Sequence, residues 1–253
     1  MRGLRFFLLF VASALPFDAA AASAAQNKNF QTWSGYIAEG ATFAGISAQW
    51  VQPAVTCPAK NARASIWVGF DGDGNGTVEQ VGTIAMCASA GATPTYRAWW
   101  EMFSGSTSRG RTNVPISPGD AISASVRYVR GKYELKVRDE TNGHHISTTK
   151  SCTSTCERSS AEWIVERAGN GKYALANYGS LQFTATAVAA ATPGPRPAAP
   201  HHRGMGNLTG PGDSAFTVIH ATMVHAGTVL SSCTAFDPRK PLAPLTCTWH
   251  AAE

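Results

Sequence analysis

Hydrophobic and polar positions along this chain alternate with period two over most of its length. In Ala121–Val129 the apolar positions Ile122, Ala124, Val126 and Tyr128 fall on one side, with Ser123, Ser125 and Arg127 on the other. Lys132–Arg138 repeats the pattern, with Tyr133, Leu135 and Val137 set against Lys132, Glu134, Lys136 and Arg138. Such alternation predicts half-buried strands. Arg130-Gly131, Asn142-Gly143 and Ser117-Pro118-Gly119-Asp120 supply turns around them. Further strands are predicted over 42–52, 65–70, 95–103, 161–167, 181–187 and 215–221. No long stretch carries a helical period with caps. Many short strands at close spacing imply an all-β sandwich or barrel.

Two segments break the pattern. Residues 1–25 run from a basic start (Arg2, Arg5) through the apolar Phe6–Ala12 to small residues ending at Ala24-Ala25. That is the order of a secretory signal, cut after Ala24 or Ala25. Its apolar run is too short for the ~20 residues that span a bilayer. Residues 191–211 hold Pro193, Pro195, Pro197, Pro200, His201 and His202 among glycines, and read as a surface loop within the domain. The remaining 26–253 suits a single domain, since all-β domains of ~200–250 residues are common.

Composition changes the picture in three ways. The net charge is +5, but the basic residues are scattered rather than gathered on one stripe, which argues against nucleic acid. There are 16 acidic residues, so few native charge pairs are lost when carboxylates protonate, and acid denaturation should be mild. All six cysteines lie in the expected exported part, which predicts disulfides, with neighbour pairing Cys57–Cys87, Cys152–Cys156 and Cys233–Cys247 as the expectation.

Most familiar catalytic signatures fail. Asp71-Gly72-Asp73-Gly74-Asn75-Gly76-Thr77 begins like a calcium loop, but position 12 is Gly82 and the preceding segment reads as a strand, so a tight turn is expected. The histidine pairs His144-His145 and His201-His202 point to opposite faces of any strand. His220 and His225 lack the frame of a zinc-protease motif. Neither a Gly-x-Ser-x-Gly elbow nor a phosphate loop is present. Asn75-Gly76-Thr77 and Asn207-Leu208-Thr209 have the form of glycosylation acceptors. What remains is a set of carboxylates among tryptophans. Trp99 and Glu101 share one strand face in Tyr96–Phe103, and Glu162, Ile164 and Glu166 share one in Ala161–Glu166. The pattern suggests a cleft across a sheet, and equally a salt-bridged strand surface.

These residues also fall into ordered blocks. Trp33-Ser34-Gly35-Tyr36, Trp67-Val68-Gly69-Phe70-Asp71-Gly72, Gln80-Val81-Gly82-Thr83, Tyr96-x-Ala98-Trp99-Trp100-Glu101 and Ala161-Glu162-Trp163-Ile164-Val165-Glu166 follow one another between about Trp33 and Phe183. The series resembles the glutamic peptidases, the eqolisins, whose prototypes are secreted fungal acid proteases. The resemblance implies a sandwich of two antiparallel sheets of the concanavalin A-like lectin and glucanase type. It implies a catalytic pair at Gln80 and Glu166, with Trp67, Asp71, Trp99 and Glu101 lining or supporting the cleft. It implies hydrolysis of peptide bonds by an activated water, with no cofactor, metal or covalent intermediate. The expected partners are polypeptide substrates, with no nucleic acid, no membrane after signal cleavage, and a monomeric state. A glutamate, with a reference pKa of ~4.3, serves as both base and acid most easily in mildly acid solution. Two features depart from the family: Trp33 follows the expected cut directly where fungal members carry a propeptide, and this chain is basic where the prototypes are acidic.

Two other functions fit a sandwich of this kind. A glycoside hydrolase could use Glu101 and Glu166 as carboxylates ~5 Å apart, although Gln80 would then have no role. A lectin-like module could use Trp99 as a sugar platform.

Overall fold

The computed structural model describes residues 26–105, 107–189, 217–234 and 245–252. The expected signal segment 1–25 and the Pro/His-rich 191–211 lie outside them, as does Asn207. Among the described residues every regular element is a strand. The first five are β1 (Gln26–Phe30), β2 (Trp33–Glu39), β3 (Phe43–Val51), β4 (Arg63–Phe70) and β5 (Val78–Met86). They are followed by β6 (Thr95–Phe103), β7 (Thr107–Pro115), β8 (Ala121–Val129), β9 (Lys132–Asp139) and β10 (His145–Lys150). The last are β11 (Ser160–Glu166), β12 (Ser180–Ala189), β13 (Thr217–His225), β14 (Thr228–Cys233) and β15 (Leu245–Trp249).

The strands form a hydrogen-bonded ribbon in the order β10-β9-β8-β3-β12-β15-β14-β13-β2-β11-β4-β5-β6-β7, folded on itself into two layers. The layers are joined where β12 changes partners, pairing through Leu181–Phe183 with β15 and through Thr184–Ala189 with β3. β8 and β9 then pack across β4 and β5. Pairing along the ribbon is antiparallel, and β1 adds one parallel contact to β13. The expected sandwich is therefore present, closed at one side almost like a barrel.

Local chemistry accounts for the strands. On β8 and β9 the predicted apolar sides carry the burial: Ile122, Val126, Tyr133, Leu135 and Val137 are each 1% exposed or less. The hairpin between them turns through Arg130 and Gly131, both at positive φ, which matches the twist of the flanking strands. The central strands β4 and β11 are buried on both faces, which explains their near-continuous apolar runs. One face of each supplies the core between the layers, including Ile66, Val68, Trp163 and Val165. The other face carries a second cluster of Ile37, Trp67, Ile164 and Ile219, against which Phe30, Trp33 and Trp99 pack. The disulfides are Cys57–Cys87, Cys152–Cys156 and Cys233–Cys247, the neighbour pairing expected. The first ties the loop before β4 to the end of β5, and the third joins β14 to β15.

Candidate active site

Strand register on the face bearing the second apolar cluster brings the predicted residues together. Three rows cross the sheet. One runs Trp33–Glu166–Ser65–Ile84–Arg97, the next Gly35–Ile164–Trp67–Gly82–Trp99, and the third Ile37–Glu162–Gly69–Gln80–Glu101. Glu166 and Gln80 thus stand two rows apart on strands separated by β4. The row between them holds Trp67, fully buried, and Gly82. A side chain at Gly82 would meet Ile66 O at 2.0 Å and Trp67 Cβ at 2.7 Å, so only glycine lets β5 lie this close to the tryptophan. Gly69 does the same beside Gln80, whose Cβ would lie 2.7 Å from any Cβ added there.

Above these rows lies a cleft of about 650 Å³ lined in part by Gln80, Trp99, Glu101 and Glu166. Trp67 forms its support rather than its lining. The Trp67 Nε1–H donates to Glu166 Oε2 at 2.8 Å, which fixes the carboxylate in the opening. Gln80 Nε2 donates to Glu101 Oε2 at 3.3 Å. A carboxylate only accepts, so this contact fixes the amide orientation and leaves Oε1 facing away. Gln80 Oε1 and Trp99 Nε1 are both buried with no partner among the described residues. An unmatched buried donor or acceptor costs roughly 1–3 kcal/mol. Both atoms belong to residues that line the cleft, but the atoms themselves lie buried behind its surface.

The two glutamates of the Ala161–Glu166 block have different environments. Glu162 is fully buried and accepts hydrogen bonds from Asp73 N at 3.2 Å and Ser160 Oγ at 2.9 Å. Burial pushes its carboxyl well above the usual range. It is held beneath the turn that follows β4. Glu166, four residues on, is only half-buried and opens into the cleft.

Asp71 is brought into the neighbourhood but not into the cleft. Its carboxylate is buried and accepts from Arg158 N and Ser159 N at 2.8 Å each, from Asn75 Nδ2 at 2.8 Å and from Thr77 Oγ1 at 3.2 Å. It pins the segment before β11 to the turn after β4, so its oxygens are committed to holding that turn. Asn75 is likewise tied into the turn through its side-chain amide.

Sequence reading missed several groups. Trp33 lines the cleft and stands edge-on to Trp67, with ring centroids 5.3 Å apart. The loop after β11 brings in Lys172 and Tyr173, and β4 brings in Arg63. Glu79, on the core side of β5, is fully buried. Its pKa is pushed up to about 9, first by burial and then by the charge of Asp71. Neither oxygen of Glu79 finds a donor. The raised pKa keeps this carboxyl protonated at neutral pH, beside the charge of Asp71. Only the strand parity of Glu79, opposite to Gln80, could have signalled its burial.

Fold and cleft together define a two-layered β-sandwich with a carboxylate and an amide presented on one sheet face. The Peptidase A4 family model matches residues 31–238, and the chain belongs to that family. Aspergillopepsin-2 of Aspergillus niger is 28% identical over 177 residues, which cover 60% of this chain and 62% of that protein, so the match spans under two thirds of that relative. Among solved structures, a scytalido-glutamic peptidase bound to a peptide-based transition-state analogue superposes with a TM-score of 0.65 at 19% identity, covering 87% of this chain and 98% of that one. Aspergilloglutamic peptidase from Aspergillus niger gives a TM-score of 0.53 at 27% identity, covering 75% and 99% respectively.

Proposed function

We propose that the chain is an exported endopeptidase that hydrolyses polypeptides in acid solution, with Glu166 and Gln80 as its catalytic pair. The observation that carries this reading is the pairing of both groups with fixed partners at one cleft: Trp67 Nε1–H on Glu166 and Glu101 on Gln80. Membership of the Peptidase A4 family supports the reaction class. The three disulfides support export to an oxidising compartment, with residues 1–25 as the removed signal.

In this scheme ionised Glu166 takes a proton from a water, and the water attacks the peptide carbonyl. Gln80 has two amide N–H groups. One is engaged by Glu101, and the other stabilises the developing oxyanion. Gln80 Oε1, buried in the free protein, turns toward the cleft in this scheme to accept a hydrogen bond from the attacking water. Glu166, now protonated, donates to the departing nitrogen and returns to its starting state. The route calls for no covalent intermediate and no metal.

The test is proteolysis of a denatured protein from pH 2 to 8, comparing wild type with Glu166→Gln and Gln80→Ala, with a chelator and a serine-protease inhibitor in parallel. Cleavage on the acid side that resists both reagents and is lost in both variants is the expected result. Cleavage that survives Glu166→Gln would sink the assignment.

A further inference from the structure

One end of the cleft is cationic, and among the described residues its cations form no ion pair. Arg63 stands on β4 one step of the pleat beyond Ser65, whose row contains Glu166. That step is about 7 Å along the strand. The Arg63 guanidinium lies over the Tyr173 ring at 3.9 Å from its centroid, and Lys172 Nζ approaches the same ring at 5.6 Å. Both basic residues and the tyrosine line the cleft. Among the described residues no carboxylate forms an ion pair with Arg63 or Lys172.

The loop that carries Lys172 is held in place. Arg167, 4% exposed, donates through Nε to Tyr173 O at 2.6 Å and through Nη2 to Gly171 O. Arg63 N–H donates to Ala174 O at 2.9 Å, which ties the loop's continuation to β4. The backbone that carries the two cations is therefore held by a buried arginine and by the start of β4. An extended peptide advances ~3.3 Å per residue. A side chain one or two residues from the bond facing Glu166 would reach them.

We propose that Arg63 and Lys172 form a carboxylate-binding subsite that selects substrates with Asp or Glu one or two residues from the bond cleaved; this rests on the peptidase reading above. A guanidinium matches a carboxylate in bidentate geometry and the ammonium adds a point charge.

The test uses internally quenched peptides identical except for Glu, Gln or Lys at each of the two positions on either side of the cleaved bond. One set has amidated C-termini and the other free ones. Wild type is expected to favour Glu over Gln at one position by about 2- to 5-fold in kcat/KM near pH 5.5, the scale of partly exposed ion pairs. The preference should shrink toward 1 near pH 3, as the peptide carboxyl protonates around its reference pKa of ~4.3. Lys172→Met, in an exposed position, and Arg63→Gln should each pull the ratio toward 1. Lys132→Gln, on β9 in the other layer, removes the same charge and should leave the ratio intact. A ratio near 1 in wild type, or one that persists in both cleft variants, overturns the subsite. A gain seen only with a free C-terminus overturns the side-chain selection, because the subsite would then be reading the terminal carboxylate. If no peptide is cleaved, the peptidase reading falls. Binding of the same peptides, followed by fluorescence of Trp33 and Trp99, then decides the subsite by the same Glu-to-Gln ratio.

Discussion

Glu162 and Glu166 share a strand and a face, yet only one opens into the cleft. The difference lies in what stands over them. The turn after β4 closes over Glu162 and donates Asp73 N to it, while Glu166 receives one indole N–H and remains half-exposed. Alternation along Ala161–Glu166 was enough to put both carboxylates on the face; it could not tell them apart, because the turn that covers Glu162 comes from nearly ninety residues earlier in the chain. The Trp67–Glu166 contact gives a prediction at this scale. Trp67→Phe removes the donor and keeps an aromatic ring. A hydrogen bond to a charged group is worth roughly 1.5–3 kcal/mol, so kcat/KM should fall about 10- to 100-fold. A carboxylate that loses a donor holds its proton more tightly, so the acid limb of the pH–rate profile should move to higher pH. A profile that keeps its acid limb in place would mean that this hydrogen bond does not tune the carboxylate proposed to react.

Among the elements, β5 was the hardest to read and matters most to the site. Val78–Met86 carries Glu79, Gln80 and Thr83 at buried positions, so polar residues fall on both faces and no clean alternation appears. Its place was legible only through the resemblance of the Gln80–Thr83 block. β8 and β9, by contrast, have one face on the core and one toward solvent, and their pattern alone located them within a residue or so. What holds β5 against β4 is the pair of glycines that face side chains across the register. Gly82→Ala would drive a methyl into Ile66 O and Trp67 Cβ, a backbone contact with no flexible tip to yield. The expected cost is roughly 2–4 kcal/mol, at the severe end for a single substitution, read as a lower urea midpoint. Gly69→Ala meets Gln80 Cβ and Glu79 O instead. It should lower kcat by displacing Gln80 as well as lowering stability, so the two variants separate support of the tryptophan from placement of the amide. Equal loss of activity per unit of lost stability in both would count against that separation.

For the whole molecule, the buried acids set a direction of stability with pH. Glu79 is buried at the end of the core between the layers, close enough for Asp71 to raise its pKa and for Arg158 to lower it in part. Its folded pKa of about 9 lies above the unfolded value of 4.5, so between those limits the folded state holds a proton that the unfolded chain has released. Stability should then fall as pH rises across that window, by about 1.4 kcal/mol per pH unit for one such group while the difference persists. Glu162 acts in the same sense, its carboxyl raised by burial. Asp139 acts in the opposite sense. Burial opposes its charge, but hydrogen bonds from the Asn142 side chain and from the Asn142 and Thr141 backbone win and hold it below 3.8. Its contribution is present above the unfolded value and is lost as pH falls below it. The two trends meet near pH 4, where a molecule with this core should be most stable. Urea midpoints at pH 4 and pH 8 measure the alkaline arm, and the midpoint at pH 8 should be lower. Glu79→Gln replaces the protonated acid by a neutral amide of nearly the same shape. It should leave the pH 4 midpoint nearly unchanged and raise the one at pH 8. A wild type equally stable at both values, or a Glu79→Gln variant as pH-sensitive as wild type, would show that the carboxyl is not carrying its proton into the core. With the expected result, the fold itself would favour acid surroundings for the proposed activity, because the conditions that ionise its buried acids also loosen the sheet on which Gln80 and Glu166 stand.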